Sequence, residues 1–190
     1  MTHFSEKFIY IFLTGLALLS WWLTQYTGLI QAEKEKVNGT YPDYFSKSYT
    51  KWEMDETGQV KSTLTAEEMT HYATDDWATH TKKPVMTFNN EKTPPWVVIA
   101  ETGVLSKDGK KLQLNGKVTV NRANTQDLKQ LTINTSNLMV TPETSYAETN
   151  AWAELISASN VTTGTGMKMT FKEPIHVELL SKVKGKYETK

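Results

Sequence analysis

Between positions 96 and 121 the sequence reads WVVIAETGVLSKDGKKLQLNGKVTVN, with apolar residues recurring at every second position. Successive residues of a strand point to opposite faces of a sheet. Trp96, Val98 and Ala100 therefore share one side, and Val97, Ile99 and Glu101 the other. Leu112 and Leu114, then Val118 and Val120, keep the period of two. Ser106-Lys107-Asp108-Gly109 is a turn signal: Gly109 tolerates positive φ, and Asp108 can hydrogen-bond its own backbone. Asn115-Gly116 reads as a second break. The stretch predicts three short strands and leaves no room for a helix.

The opening of this stretch recurs. Val98-x-Ala100-x-x-Gly103 has counterparts in Leu64-x-Ala66-x-x-Met69, Ile133-x-Thr135-x-x-Leu138 and Ile156-x-Ala158-x-x-Val161. Each copy is an aliphatic residue, a small residue two on, and then a return of the chain. Spacings of roughly 23 to 35 residues lie within the range of repeat architectures.

Further strands follow from the same pattern. Ser48, Thr50, Trp52 and Met54 alternate with Tyr49, Lys51 and Glu53, and Glu56-Thr57-Gly58 closes that strand. Val60, Ser62, Leu64 and Ala66 continue on one face, and residues 85–88 form another strand after Pro84. Residues 131–140 and 146–156 read as a long hairpin around Thr141-Pro142-Glu143. Gly164-Thr165-Gly166 reads as a turn into Met167, Met169 and Phe171, and residues 175–179 as the last strand. A Thr-rich meander of this kind fits a sandwich, roll or open barrel with one wet face.

The amino-terminal part differs. Residues 8–32 carry no charge, and residues 8–30 as a helix would span about 34 Å, enough for a hydrocarbon core of about 30 Å. Trp21, Trp22 and Tyr26 suit the headgroup level at one end. A cleaved signal peptide fits less well, because Ile30-Gln31-Ala32 puts a branched residue where a small one is needed. The expected organisation is a cytoplasmic leader at 1–7, a transmembrane helix at 8–30, a linker at 31–45, a β domain at 46–180 and a basic tail at 181–190.

The chemistry expected of the chain is apolar. Its 21 basic and 21 acidic residues are interspersed, which argues against nucleic acid as a partner. There is no cysteine, and His3, His71, His80 and His176 are scattered, so neither thiol chemistry nor a metal site is expected. No phosphate-cradling glycine loop and no nucleophile elbow occurs, and no cofactor or catalytic residue is assigned. The inward-facing set is read as Trp52, Met54, Leu64, Met69, Phe88, Val98, Ile133, Leu138, Ile156, Met169 and Phe171. These residues could fill an ordinary core. Met and aromatic side chains could also line a greasy trough between two strand layers, unfilled and open at both ends.

One membrane helix followed by Trp96-x-Val98-x-Ala100, Leu112-x-Leu114-x-Gly116-x-Val118-x-Val120-Asn121 and Glu178-Leu179-Leu180-Ser181-Lys182-Val183-x-x-x-Tyr187-Glu188 closely resembles the LptC family of lipopolysaccharide export proteins of Gram-negative bacteria. The shared order runs from Tyr72 through Pro84, Phe88, Pro94 and Trp96 to Asn121. The resemblance implies an all-β slanted β-jellyroll, open and two-layered with antiparallel strands, after a single transmembrane helix. It implies a non-catalytic protein of the cell inner membrane whose carboxy-terminal domain lies in the periplasm. Such a protein takes lipopolysaccharide from an ABC transporter with LptB, LptF and LptG type subunits. It passes the lipid to an LptA type bridge protein and modulates the transporter through its membrane helix. The inward set would then line the lipid groove. Ser48 and Tyr49 at one rim, and Ile175, Val177, Leu179, Leu180, Val183 and Tyr187 at the other, would bind the protein partners. The alternative is a membrane-anchored structural or adhesion module with a solid core that binds protein only.

Overall fold

The structure is a computed structural model and describes residues 3–26, 42–72, 76–90, 93–125, 128–158 and 160–187. It divides into Met1–Asn38 and Gly39–Lys190. The first unit holds one helix, α1 (His3–Tyr26). Its apolar span at Lys7–Gln25 is long enough to cross a membrane, and none of that span is buried against protein. Thr14 and Thr24 donate their hydroxyls to the carbonyls of Tyr10 and Trp21, at 2.8 and 2.7 Å. Two polar groups that a hydrocarbon environment would penalise are thereby satisfied within the helix. α1 starts earlier than the expected 8–30, and positions 27–30 lie outside the described residues.

The second unit is a ten-stranded antiparallel sheet. Its strands are β1 (Tyr44–Met54), β2 (Val60–His71), β3 (Thr79–Lys82), β4 (Val85–Phe88), β5 (Trp96–Leu105), β6 (Leu112–Arg122), β7 (Leu131–Thr141), β8 (Tyr146–Ser157), β9 (Asn160–Thr170) and β10 (His176–Lys186). Neighbours in space are neighbours in sequence, except that β3 and β4 both fill the place between β2 and β5. β1 and β10 are the two edges.

Three boundaries differ from the sequence reading. Asn115-Gly116 does not end a strand, because β6 runs straight through it. Gly164-Thr165-Gly166 likewise lies inside β9 rather than in a turn. The stretch expected to be a patternless tail continues β10 as far as Lys186. The common cause is a residue in the left-handed region within a strand. Gly116 and Gly166 both have φ of 77°, and Lys182 has φ of 50°.

These residues are in register. Ser48 (φ 57°) lies opposite Glu67, and Lys83 (φ 48°) donates its N–H to the Glu101 carbonyl. A Cβ on Gly116 would strike the Glu101 side chain, and Gly116 donates to the Asn137 side chain, itself at φ 52°. One line of irregularities thus crosses the sheet: left-handed residues at Ser48 and Lys83, then bulges in every pairing from β5 to β10. Bulges sharpen strand bending and twist, and a column of them folds the sheet into two facing layers. The recurring motif is the sequence image of that fold. Inward residues step from 64 and 66 to 69, from 98 and 100 to 103, and from 133 and 135 to 138, changing parity at the bend. The fourth copy is different in kind: Ala158 (φ 51°) is in the β8–β9 turn.

Each long strand contributes one half to each layer, and β3 and β4 contribute one to each, which gives the expected two-layer jellyroll. The layers enclose one apolar core that includes Met86, Trp96, Val98, Leu112, Leu114, Val118, Val120, Ile133, Leu138, Val140, Met167 and Met169.

Candidate functional site

Because the fold line runs across the strands, the space between the layers also runs across them, from β1 to β10. Its two ends are therefore the two sheet edges. Its long side, opposite the fold, is a lip where strand ends of one layer meet strand ends of the other.

At the lip, Phe88 of β4 stacks on Phe171, just past β9, with ring centroids 4.2 Å apart and planes 10° from parallel. Trp96 meets Phe171 edge-on at 6.0 Å. Lys61 donates its ammonium to the Glu143 carbonyl across the same gap. A cavity of about 450 Å³ lies beside this clasp, lined by Asp55, Gln59, Lys61, Phe88, Asn89, Asn90, Ser145, Phe171, Lys172 and Glu173 among others.

The expected inward set divides. Leu64, Phe88, Val98, Ile133, Leu138, Met169 and Phe171 belong to the single core, and Met69 is buried as well. Trp52 and Met54 are 60% and 54% exposed and do not face inward. Trp52 pairs with Thr63, while Lys51 pairs with buried Leu64 and Glu53 with buried Ser62, whose hydroxyl reaches the Glu53 carboxylate at 3.4 Å. At this edge strand the inner side is wet, so polarity and facing are inverted. Ile156 is also displaced: it pairs with Thr132, and Leu155, paired with Ile133, packs on the core instead. The expectation of an unfilled trough is overturned along its middle. Val98, Leu112, Leu114, Val118, Val120, Ile133 and Leu138 have no accessible surface, so the protein's own side chains occupy that space.

Among the described residues, both rims are unpaired on their outer sides. Of the residues expected to meet partners, Tyr49 on β1, and Ile175, Val177 and Leu179 at β10, are half-buried against the core. Burial, with a smaller contribution from nearby Tyr44, raises the Tyr49 hydroxyl pKa. Ser48, Leu180, Val183 and Tyr187 are exposed. Lys47 and Lys51 on β1, and Lys182, Lys184 and Lys186 on β10, put charge on the free edges. Edge charge of this kind deters indiscriminate strand pairing.

On the outer side of the fold line Lys83 and Glu67 form an ion pair at 2.9 Å. The hydrogen bond from Lys83 lowers the Glu67 pKa, and the same contact raises that of Lys83. On β8, burial and the Glu148 carboxylate accepting its hydroxyl at 2.9 Å push Tyr146 up to about 12. His71 and His80 lie on adjacent strands but on opposite faces, His71 against Thr79 and Tyr44 and His80 against Tyr72, and no cluster of metal-ligating side chains exists among the described residues. The sequence reading missed Arg122, whose guanidinium lies 4.9 Å from the centre of the Trp96 ring. The only signal was its position at the end of an alternating run.

The family described as "LptC: Lipopolysaccharide-assembly, LptC-related" matches residues 9–188. No curated relative matches the chain at the sequence level. Among solved structures the chain is similar to LptH of Pseudomonas aeruginosa, described as the LptA homologous periplasmic component of the conserved lipopolysaccharide transport device. The identity is 9% and the TM-score 0.45, over 77% of this chain and 94% of that one. With most of its helix and its whole folded sheet inside the matched span, the chain belongs to the LptC-related family of lipopolysaccharide-assembly proteins.

Proposed function

We propose that this protein carries lipopolysaccharide between its two strand layers. It receives the lipid from an ABC transporter with LptB, LptF and LptG type subunits at the β1 rim. It releases the lipid to an LptA type bridge at the β10 rim. α1 anchors it in the cell inner membrane with the sheet in the periplasm and modulates the transporter there. One observation carries this reading: both ends of the apolar interior are free strand edges. A partner that adds a strand to either edge extends both layers and the space between them. Its main-chain groups supply the affinity.

The filled interior sets the manner of carriage. Acyl chains enter as the layers part along the lip, and each methylene kept from water is worth ~0.8 kcal/mol. Met86, Met167 and Met169 line the interior with flexible, polarisable side chains that can repack around a chain of any conformation. Leu64, Met69, Phe88, Val98, Ile133, Leu138, Met169 and Phe171 are the proposed lining. Tyr49, Ile175, Val177, Leu179 and the exposed Ser48, Leu180, Val183 and Tyr187 are the proposed partner contacts.

Mass spectrometry of lipids retained by the full-length protein, purified in detergent, tests carriage. Retained lipopolysaccharide is expected, and its repeated absence favours the protein-binding module. Truncation after Pro174 removes β10 and should abolish co-purification with the bridge while leaving the transporter contact intact.

A further inference from the structure

Among the described residues, the buried side-chain polar atoms left unpaired are concentrated in one place. Those with no hydrogen-bond partner are Asn90 Nδ2, Thr93 Oγ1, Trp96 Nε1 and Arg122 Nε. Asn90 and Thr93 belong to the β4–β5 loop. That loop joins Phe88 to its cross-strand partner Trp96, and Trp96 pairs in turn with Arg122. All four therefore occupy one stretch of the lip, at the aromatic clasp. Asn90 opens on the cavity of about 450 Å³ beside it.

Three of the four groups can only donate, and the Thr93 hydroxyl can donate as well. Trp96 is wholly buried, yet its indole N–H has no acceptor. Arg122 is the only arginine in the sequence. Its guanidinium lies over the Trp96 ring and gives one N–H to the Lys129 carbonyl at 3.2 Å, but it has no carboxylate partner among the described residues. Buried donors without acceptors are rare in folded proteins and call for a specific cause. Lys61 and Lys172 add positive charge to the lining of the cavity, partly offset by Asp55 and Glu173. The Asp55 carboxylate is already engaged, accepting from the Thr57 N–H, the Thr57 hydroxyl and the Gln59 N–H.

We infer that this cluster is a binding site for one phosphate-type oxyanion. Arg122 is its charged donor, with Trp96, Thr93 and Asn90 as neutral donors around it. A planar guanidinium fixed against an aromatic ring is suited to the forked geometry of a phosphate. The oxyanion can be free phosphate or the phosphate of a lipid headgroup whose acyl chains lie between the layers. The second use rests on the lipid-carrying function proposed above. It would hold the headgroup at the lip while the chains occupy the interior.

The test is the Trp96 indole N–H resonance of the full-length protein in detergent micelles, assigned with Trp96→Phe. It is followed during titration with inorganic phosphate, with lipopolysaccharide, and with lipopolysaccharide stripped of its phosphates. A saturable shift is expected with phosphate and with intact lipopolysaccharide. Arg122→Gln should weaken either by roughly ten-fold or more, whereas Lys117→Gln, on an exposed residue of β6, should leave it unchanged. No saturable shift from any phosphorylated ligand in the wild-type protein overturns the site, as does a shift that survives Arg122→Gln. If phosphate shifts the resonance while neither lipid binds, the oxyanion site stands and lipid carriage fails.

Discussion

Phe171→Ala tests whether the lip is a packed contact or an idle gap. Phe171 is wholly buried, stacked on Phe88 and edge-on to Trp96. Removing a buried phenyl group costs about 3–5 kcal/mol, part of it for the cavity left behind. The ring pair itself accounts for about 0.5–1.5 kcal/mol beyond area burial. For a domain of this size each kcal/mol moves Tm by about 2–4 °C, so Phe171→Ala should melt on the order of 10 °C lower. Urea unfolding followed by tryptophan fluorescence gives the free energy, and the double variant with Phe88→Ala gives the coupling. Residues in contact should couple by at least ~0.5 kcal/mol. Trp52→Ala, at an exposed position on the same sheet, should cost well under the core value. A loss below about 1 kcal/mol for Phe171→Ala, with no coupling to Phe88, would refute the reasoning, because full burial cannot be had so cheaply.

Other outcomes follow from the bends and from one phenol. Gly166→Ala puts a side chain at φ of 77° and a Cβ 3.0 Å from Leu180 Cδ1; it should cost about 1–2 kcal/mol from the backbone alone and loosen β10, read as faster amide exchange there. Gly103→Val should be worse, since even its Cβ lies 2.7 Å from Thr81 Oγ1 and 3.1 Å from Pro84 Cγ; a soluble, fully stable variant would contradict the close approach of β3 and β5. Tyr146 holds its proton up to about 12 in the folded state, above the ordinary 10.0. Its contribution to stability is therefore complete below pH 10 and is lost as the pH rises toward 12, because the unfolded chain gives up that proton first. Phenolate absorbance should show two tyrosines titrating late, Tyr49 and Tyr146; Glu148→Ala should bring the Tyr146 step part of the way back, burial being the larger cause, and an unmoved step would remove the hydrogen bond from the account.

Much of the sheet could be read from the residues, because a half-buried strand writes its period into the chain. The 131–156 hairpin and the central alternation are examples. What escaped had local causes. Gly116 and Gly166 carry the signature of a turn, and only the pairing partners of β6 and β9 turn it into a bend. β3 is four residues, Thr-His-Thr-Lys, with no aliphatic side chain to mark its inner face. Trp52 and Met54 misled because at an edge strand the inner side borders solvent, and burial no longer follows polarity. The parity step at Ala66, Ala100 and Thr135 was visible as a repeat, but its meaning as a fold line needed the register. The donor cluster at Arg122 could not be read at all, since it depends on which hydrogen bonds are missing.

The central claim is that lipid passes between the layers. Photo-reactive amino acids placed in turn at Ile133, Met169 and Phe171, and at Thr119 and Thr132 on the opposite face, test it most directly in cells with an active transporter. Lipopolysaccharide adducts at the three interior positions, dependent on ATP hydrolysis by the transporter, are the predicted result. Adducts at Thr119 and Thr132 alone would contradict the account.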